Sequence, residues 1–145
     1  TMLLELRPDS LTEASLDALL DHLAETLTSR AGVIVETDLD AECKMPVDVK
    51  IALYRIVQEA FNNIAKHAQA SKVLISSRCE CDLVEIRVQD NGRGIDPRAI
   101  APGHMGVQIM HERMAQIGGR LQVVGEPGQG TSVIVQWQPQ GAGNE

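Results

Sequence analysis

The sequence predicts a two-layer α/β sandwich: a mixed, mostly antiparallel sheet covered on one face by three helices. Three observations carry this prediction. Apolar residues recur at helical spacing in some segments and alternate in others, in the order helix, strand, helix, strand, strand, long loop, helix, strand, strand. Two pairs of neighbouring strands are joined by short turns, which implies antiparallel pairing. Amphipathic helices must also bury their apolar stripes, and one sheet face can take all three.

Each element has its own justification. Residues 1–9 begin abruptly and read as the tail of an upstream linker or dimerisation helix, followed by a domain over 10–138 and a disordered tail over 139–145. Ser10 or Thr12 is expected to cap a helix carrying Leu11, Leu16, Leu19, Leu20, Leu23 and Leu27 on one side, with Gly32 ending it. Val33 to Leu39 alternate as a strand. A polar loop from Asp40 to Lys44 leads through Pro46, favoured near a helix start, into the helix that organises the chain. That helix, Ile51 to Ala68, carries Leu53, Ile56, Val57, Ala60, Phe61, Ile64 and Ala68 in one stripe. Lys72–Cys79 and Leu83–Gln89 alternate as strands around a turn at Glu80–Asp82. Asp90 to Gly106 shifts to Gly, Pro and Asp and reads as a functional loop with a helical turn near Pro97, since loops longer than about 12 residues are usually lids or disordered. Helical spacing resumes from Gly106 to Ile117 and ends at Gly118-Gly119. Leu121–Val124 and Ser132–Trp137 flank the turn GEPGQGT.

Composition narrows the function. The 145 residues are 43% apolar but only 2% aromatic, so a core of Leu, Ile, Val, Ala and Met is expected. A formal charge of −7 argues against nucleic acid as a partner. No apolar run approaches the roughly 18 residues of a membrane span, and no signal peptide opens the sequence. Direct membrane contact is therefore not expected. Cys43, Cys79 and Cys81 make an odd count without metal spacing. Cys79 and Cys81 alternate along a predicted strand and should share a face; all three are expected as thiols of a reducing cytoplasm.

Chemistry concentrates in four places. Glu59 and Asn63 lie four residues apart on the organising helix, with Lys66 and His67 a turn further on, so they form one polar seam. Taken alone, such a seam is a solvated helix edge. A second stretch, DNGRGI from Asp90 to Ile95, follows directly on an alternating strand. Asp90 there is also what an Asx turn needs. Gly103-His104-Met105-Gly106 opens a helix, whose free N–H groups attract anions and suit a phosphate. Gly128-Gln129-Gly130-Thr131 alone reads as a hairpin turn.

The ordered set E-x-x-x-N-x-x-K-H, D-x-G-x-G, G-x-x-G at a helix start and G-x-G-T resembles the ATP-binding domain of sensor histidine kinases. Its superfamily, with the Bergerat-type sandwich, also holds the Hsp90, MutL and gyrase ATPases. LYRIVQEAFNNIAKHAQA, DNGRGI and GHMGVQIMHERMAQIGGRL are similar to the nitrate/nitrite-sensor-like subfamily, and RPDSLTEASLDALLDHLAE resembles the helix joining dimerisation and catalytic domains in that subfamily. The resemblance covers roughly residues 3 to 138.

That resemblance implies ATP and Mg²⁺ as cofactors, with Asn63 ligating the metal. Lys66 and His67 would approach phosphate oxygens. Asp90 would accept a hydrogen bond from the adenine amino group, with Gly92, Gly94 and Ile95 lining the base. Gly103, His104, Met105, Gly106 and Val107 would lie along the triphosphate, Thr131 would reach the adenine side, and Glu59 would serve as the catalytic base or orient the acceptor. The glycine segment reads G-H-M-G where other subfamilies have G-x-G-x-G, which leaves open which amides touch phosphate. None of His22, His104 and His111 lies in the subfamily's acceptor context, a histidine beside an acidic residue on a dimerisation helix. His111 and Arg113 read as solvated or capping, and Trp137 as a core or edge aromatic.

The implied reaction is transfer of the ATP γ-phosphoryl group to a histidine on a dimerisation domain absent from this sequence, then passage to a response regulator receiver domain. The implied place is the cytoplasm, either free or as the cytoplasmic part of a membrane-bound sensor. An anti-sigma-factor-type serine kinase and a non-catalytic ATP-sensing module are the alternatives. The linker-like start and the H-E-R-M helix argue against the first, and retention of Glu59 with Asn63 against the second.

Overall fold

A computed structural model describes residues 13–41, 43–92, 105–125 and 128–139. Helix α1 (Leu16–Ala31) buries Leu16, Leu19, Leu20, Leu23, Ala24 and Leu27. Its cap is Ser15, whose Oγ accepts from the Ala18 N–H at 3.1 Å. The expected caps Ser10 and Thr12, and Leu11, lie outside the described residues. Gly32 closes the helix with φ +66, the left-handed conformation a glycine adopts without a side-chain penalty.

Strand β1 (Ile34–Asp40) then leads through a short loop to α2 (Val47–Asn63), which has Pro46 at its N-cap. Val49, Leu53, Tyr54, Ile56, Val57, Ala60 and Phe61 form its buried stripe. The α-helix stops five residues before the expected end: Ile64–Ala68 widen into a π-helical turn. Gln69, at φ +52, then turns the chain into the left-handed region so that it can enter the sheet after Ser71. Such π turns are rare and often mark functional sites.

Strands β2 (Lys72–Glu80) and β3 (Leu83–Asp90) are joined by a two-residue turn, Cys81-Asp82, with both residues at positive φ. Helix α3 (Met105–Gln116) precedes β4 (Arg120–Gly125) and β5 (Thr131–Trp137). The strand order is β1-β2-β3-β5-β4. β1 runs parallel to β2, because α2 and the π turn carry the chain back between them; the other pairings are antiparallel. This is the expected mixed, mostly antiparallel sheet, with three helices among the described residues.

Alternation decides what each strand buries. Val73, Ile75 and Ser77 of β2, Val84, Ile86 and Val88 of β3, and Val133, Val135 and Trp137 of β5 face the helices. The core is aliphatic, as the composition requires, but all three aromatic residues, Tyr54, Phe61 and Trp137, are also buried. Trp137 donates its indole N–H to the Ile117 carbonyl at 2.9 Å, fixing the end of α3 over that end of the sheet. The opposite face carries exposed charge pairs, including Lys72–Glu36 at 2.9 Å and Arg87–Glu85 at 3.0 Å.

The cysteine expectation is corrected. Cys43 and Cys79 form a disulfide with their Cα atoms 6.0 Å apart, and only Cys81 is free. The loop before α2 passes over the helix side of β2, where Cys79 lies two residues after buried Ser77. Cys81 does not continue the alternation, because the strand has already ended and position 81 belongs to the turn.

Candidate functional site

Three strand ends converge at one end of the sheet. Val73 near the start of β2, Asp90 at the end of β3 and Thr131 at the start of β5 are paired across the ladder. The π turn delivers the chain to the same end, because Ser71 follows it by three residues. The end of α3 lies at the other end, beside Trp137.

Asp90 is in phase with Val84, Ile86 and Val88, so its carboxylate is carried to the helix-covered face. It is only 7% exposed, one of two buried polar residues in the core among the described residues. Its Oδ1 accepts from the Gly92 N–H at 2.8 Å, so the Asx turn is real. Burial pushes the Asp90 carboxyl above its ordinary value, and the backbone N–H groups of Gly92 and Thr131 partly offset that rise. A buried carboxylate at a strand end, with a raised pKa and backbone amides from Gly92 and Thr131 beside it, is a candidate functional group.

The hairpin turn before β5 is pressed against the backbone of Asp90 and Asn91. A Cβ on Gly130 would lie 2.1 Å from the Asp90 carbonyl oxygen, and Gly130 has φ +83. Two independent constraints therefore demand glycine there. Sequence reasoning found the G-x-G-T element but gave Gly130 no role; its signal was its place one residue before Thr131.

On α2, Glu59 and Asn63 are half-buried, and Lys66 on the π turn is exposed. The seam thus persists, but its second half rides on a wider helical turn than the sequence implied. His67 belongs to that turn. Asn62, beside Asn63, accepts from Arg30 Nη1 at 2.9 Å, linking α1 to the seam. Gly92 is buried against Asp90, and Val107 is half-buried on α3. Met105 and Gly106 form the first residues of α3. Gly94, Ile95, Gly103 and His104, with the expected helical turn near Pro97, lie outside the described residues. Among the described residues no three His, Cys, Asp or Glu side chains gather as a metal site.

A family model described as "Histidine kinase-, DNA gyrase B-, and HSP90-like ATPase" matches residues 48–141. The chain belongs to this family. The ATPase-family match takes in all of α2 but Val47, together with Asp90 and Thr131. Among the chain's relatives is the sensor histidine kinase LiaS of Bacillus subtilis, 31% identical over 134 residues, covering 92% of this chain and 37% of LiaS. The nitrate/nitrite sensor protein NarX of Escherichia coli is 33% identical over 131 residues, covering 90% of this chain and 22% of NarX. The chain thus spans well under half the length of these relatives. The ATP-binding domain of PrrB from Mycobacterium tuberculosis has the same fold, with a TM-score of 0.69 at 21% identity, covering 86% of this chain and 94% of that one. Full-length ShkA, solved in complex with AMPPNP, aligns with a TM-score of 0.70 at 24% identity over 85% of this chain and 30% of its own.

Proposed function

We propose that this chain binds Mg-ATP and donates its γ-phosphoryl group to a histidine on a dimerisation domain, from which a response regulator receiver domain takes it. The observation that carries this reading is Asp90. It is a buried carboxylate at a strand end, braced by the Gly92 and Thr131 amides, within an ATPase family whose relatives here are sensor histidine kinases. We assign the domain to residues 10–138 and its working place to the cytoplasm.

In this reading Asp90 accepts from the adenine amino group, beside Gly92, Gly94, Ile95 and Thr131. Asn63 offers its amide oxygen to Mg²⁺, and Lys66 and His67 face the phosphates. Met105, Gly106 and Val107 open α3, where the helix dipole favours an anion, and Gly103 and His104 would join them along the triphosphate. The metal, when bound, neutralises charge between the β- and γ-phosphates. Glu59, four residues before Asn63, orients or deprotonates the acceptor imidazole. Phosphoryl transfer is mostly positioning and charge stabilisation, so this set of groups is chemically sufficient.

Calorimetry and labelling test the two halves of this proposal. Asn63→Ala should weaken Mg-ATP binding on the order of 10- to 100-fold with little change in melting temperature. A histidine-bearing dimerisation domain added in trans should acquire acid-labile label from γ-labelled ATP. Glu59→Gln should slow that labelling by roughly 10²- to 10⁴-fold while leaving ATP affinity nearly intact. Unchanged Mg-ATP affinity in Asn63→Ala removes Asn63 from the site, and label retained on serine would favour the serine-kinase alternative.

A further inference from the structure

Asn91 lies between the two residues of the Asp90–Gly92 turn and makes a dense set of contacts for an exposed side chain. Its Oδ1 accepts from the N–H groups of both Ser71 and Lys72, each at 3.0 Å. Its Nδ2 donates to Ser71 Oγ at 3.0 Å, and its own backbone N–H donates to the Lys72 carbonyl at 3.2 Å. Both lone pairs of the amide oxygen are thereby used, together with one of its two N–H donors. All four bonds go to one dipeptide.

That dipeptide is the hinge between two parts of the proposed site. Ser71 follows left-handed Gln69 and the π turn bearing Lys66 and His67, while its carbonyl accepts from the Ile34 N–H of β1 at 3.0 Å. On the other side, Asp90 is the last residue of β3, and Gly92 bonds back to its carboxylate. Beyond Asp90 the β2–β3 ladder ends, and the bonds of Asn91 tie the turn to the start of β2. Geometry explains the choice of residue: a serine is too short to reach both amides, and an alanine reaches none.

We propose that Asn91 is a positioning residue for nucleotide selection, holding the Asp90–Gly92 turn at a fixed distance from the phosphate-facing end of α2. The inference rests on the reading that Asp90 recognises adenine. Loss of the brace lets the carboxylate turn move relative to Lys66, so one nucleotide no longer satisfies both at once. The defect should appear in discrimination between bases, because the phosphates of ATP and GTP are alike.

The test is calorimetric affinity for Mg-ATP and Mg-GTP, with melting temperature measured alongside. Asn91→Ala should lower the ATP-over-GTP preference about tenfold, which corresponds to one hydrogen-bond-sized loss of about 1.4 kcal/mol. Asn91→Asp keeps an acceptor for both amides, and the Ser71 hydroxyl can turn to donate, so the preference should be retained. Asn91→Ser is the second truncation and should lower the preference even if Asn91→Ala does not fold. A brace that is only structural would lower melting temperature and both affinities together, leaving the preference unchanged; that result overturns the inference. So does loss of the preference in Asn91→Asp. Asp90→Asn is the control that separates the two readings. If the parent shows no ATP preference, or Asp90→Asn keeps one, the adenine reading fails and this inference with it. If Asp90→Asn responds and Asn91→Ala does not, only the role of Asn91 is lost.

Discussion

Asp90 is a charge placed where hydrophobic side chains belong. It occupies the fourth inward position of β3, after Val84, Ile86 and Val88, and is nearly as buried as they are. Gly130 makes the placement possible, because any side chain there would collide with the Asp90 carbonyl. Since its pKa is raised by burial, folded Asp90 holds a proton over a pH range in which the unfolded chain has already released it. The folded state then binds more protons than the unfolded one, so stability falls as pH rises through that range. Asp90→Asn lacks this penalty. Its melting temperature relative to the parent should therefore climb as pH rises above the ordinary Asp value of 3.8 and level off once Asp90 is ionised in both states. A difference that stays flat from the acid range to neutral pH would show that burial does not penalise this carboxylate. The same variant should lose at least about tenfold in ATP affinity, since sites built to hydrogen-bond a group discriminate strongly when the pairing is broken.

Between elements, the most tightly specified junction is polar. Ser77 is fully buried in β2, donates its hydroxyl to Asp17 Oδ1 at 2.7 Å and accepts from the Asp40 N–H at 2.8 Å. Asp17 Oδ2 accepts from the Ala41 N–H at 2.9 Å. One network thus joins the first turn of α1, the end of β1 and the middle of β2. Lys50 adds a bond from its Nζ to the Ala14 carbonyl at 2.8 Å, tying α2 to the residues before α1. Ser77→Ala leaves a partly buried amide and a partly buried carboxylate short of a partner, which should cost about 1 kcal/mol. Urea denaturation should read this as a lower midpoint with an unchanged slope. A loss below about 0.5 kcal/mol would mean that water replaces the hydroxyl. By contrast, the exposed pairs on the open face, such as Lys72–Glu36, contribute about 0–1 kcal/mol each.

Across the whole molecule, the Cys43–Cys79 bond closes a loop with a sequence separation of 36 that contains all of α2 and the π turn. Asn63, Lys66 and His67, proposed for the metal and the phosphates, therefore lie inside one covalent ring. Closing a loop of that length should stabilise the oxidised protein by about 4 kcal/mol on the chain-entropy model. Thermal melts in oxidising and reducing glutathione buffers should differ accordingly, and Cys43→Ser should abolish the difference. Cys81→Ser should leave it intact, since Cys81 is exposed in the turn. A parent whose melting is insensitive to the buffer would mean that the two cysteines remain thiols in solution.

The helical periods of Leu16–Leu27 and Leu53–Ile64, the alternation of the strands and the glycines at the turns determine the elements, their order and the two-layer architecture. The same reading selects Glu59, Asn63 and Asp90, because local spacing reports which face a side chain takes. Tertiary structure alone decided the rest. Pairing across the sheet made β1 parallel to β2 and set β5 between β3 and β4, since neither follows from a strand's own pattern. The π turn depends on where the chain must enter the sheet, the Cys43–Cys79 bond on a loop crossing β2, and the buried Asp17–Ser77 link on residues 60 apart. Asn91 belongs to the same class: its identity is visible in the sequence, but its work is done on Ser71 and Lys72, some twenty residues away, which only folding brings within reach.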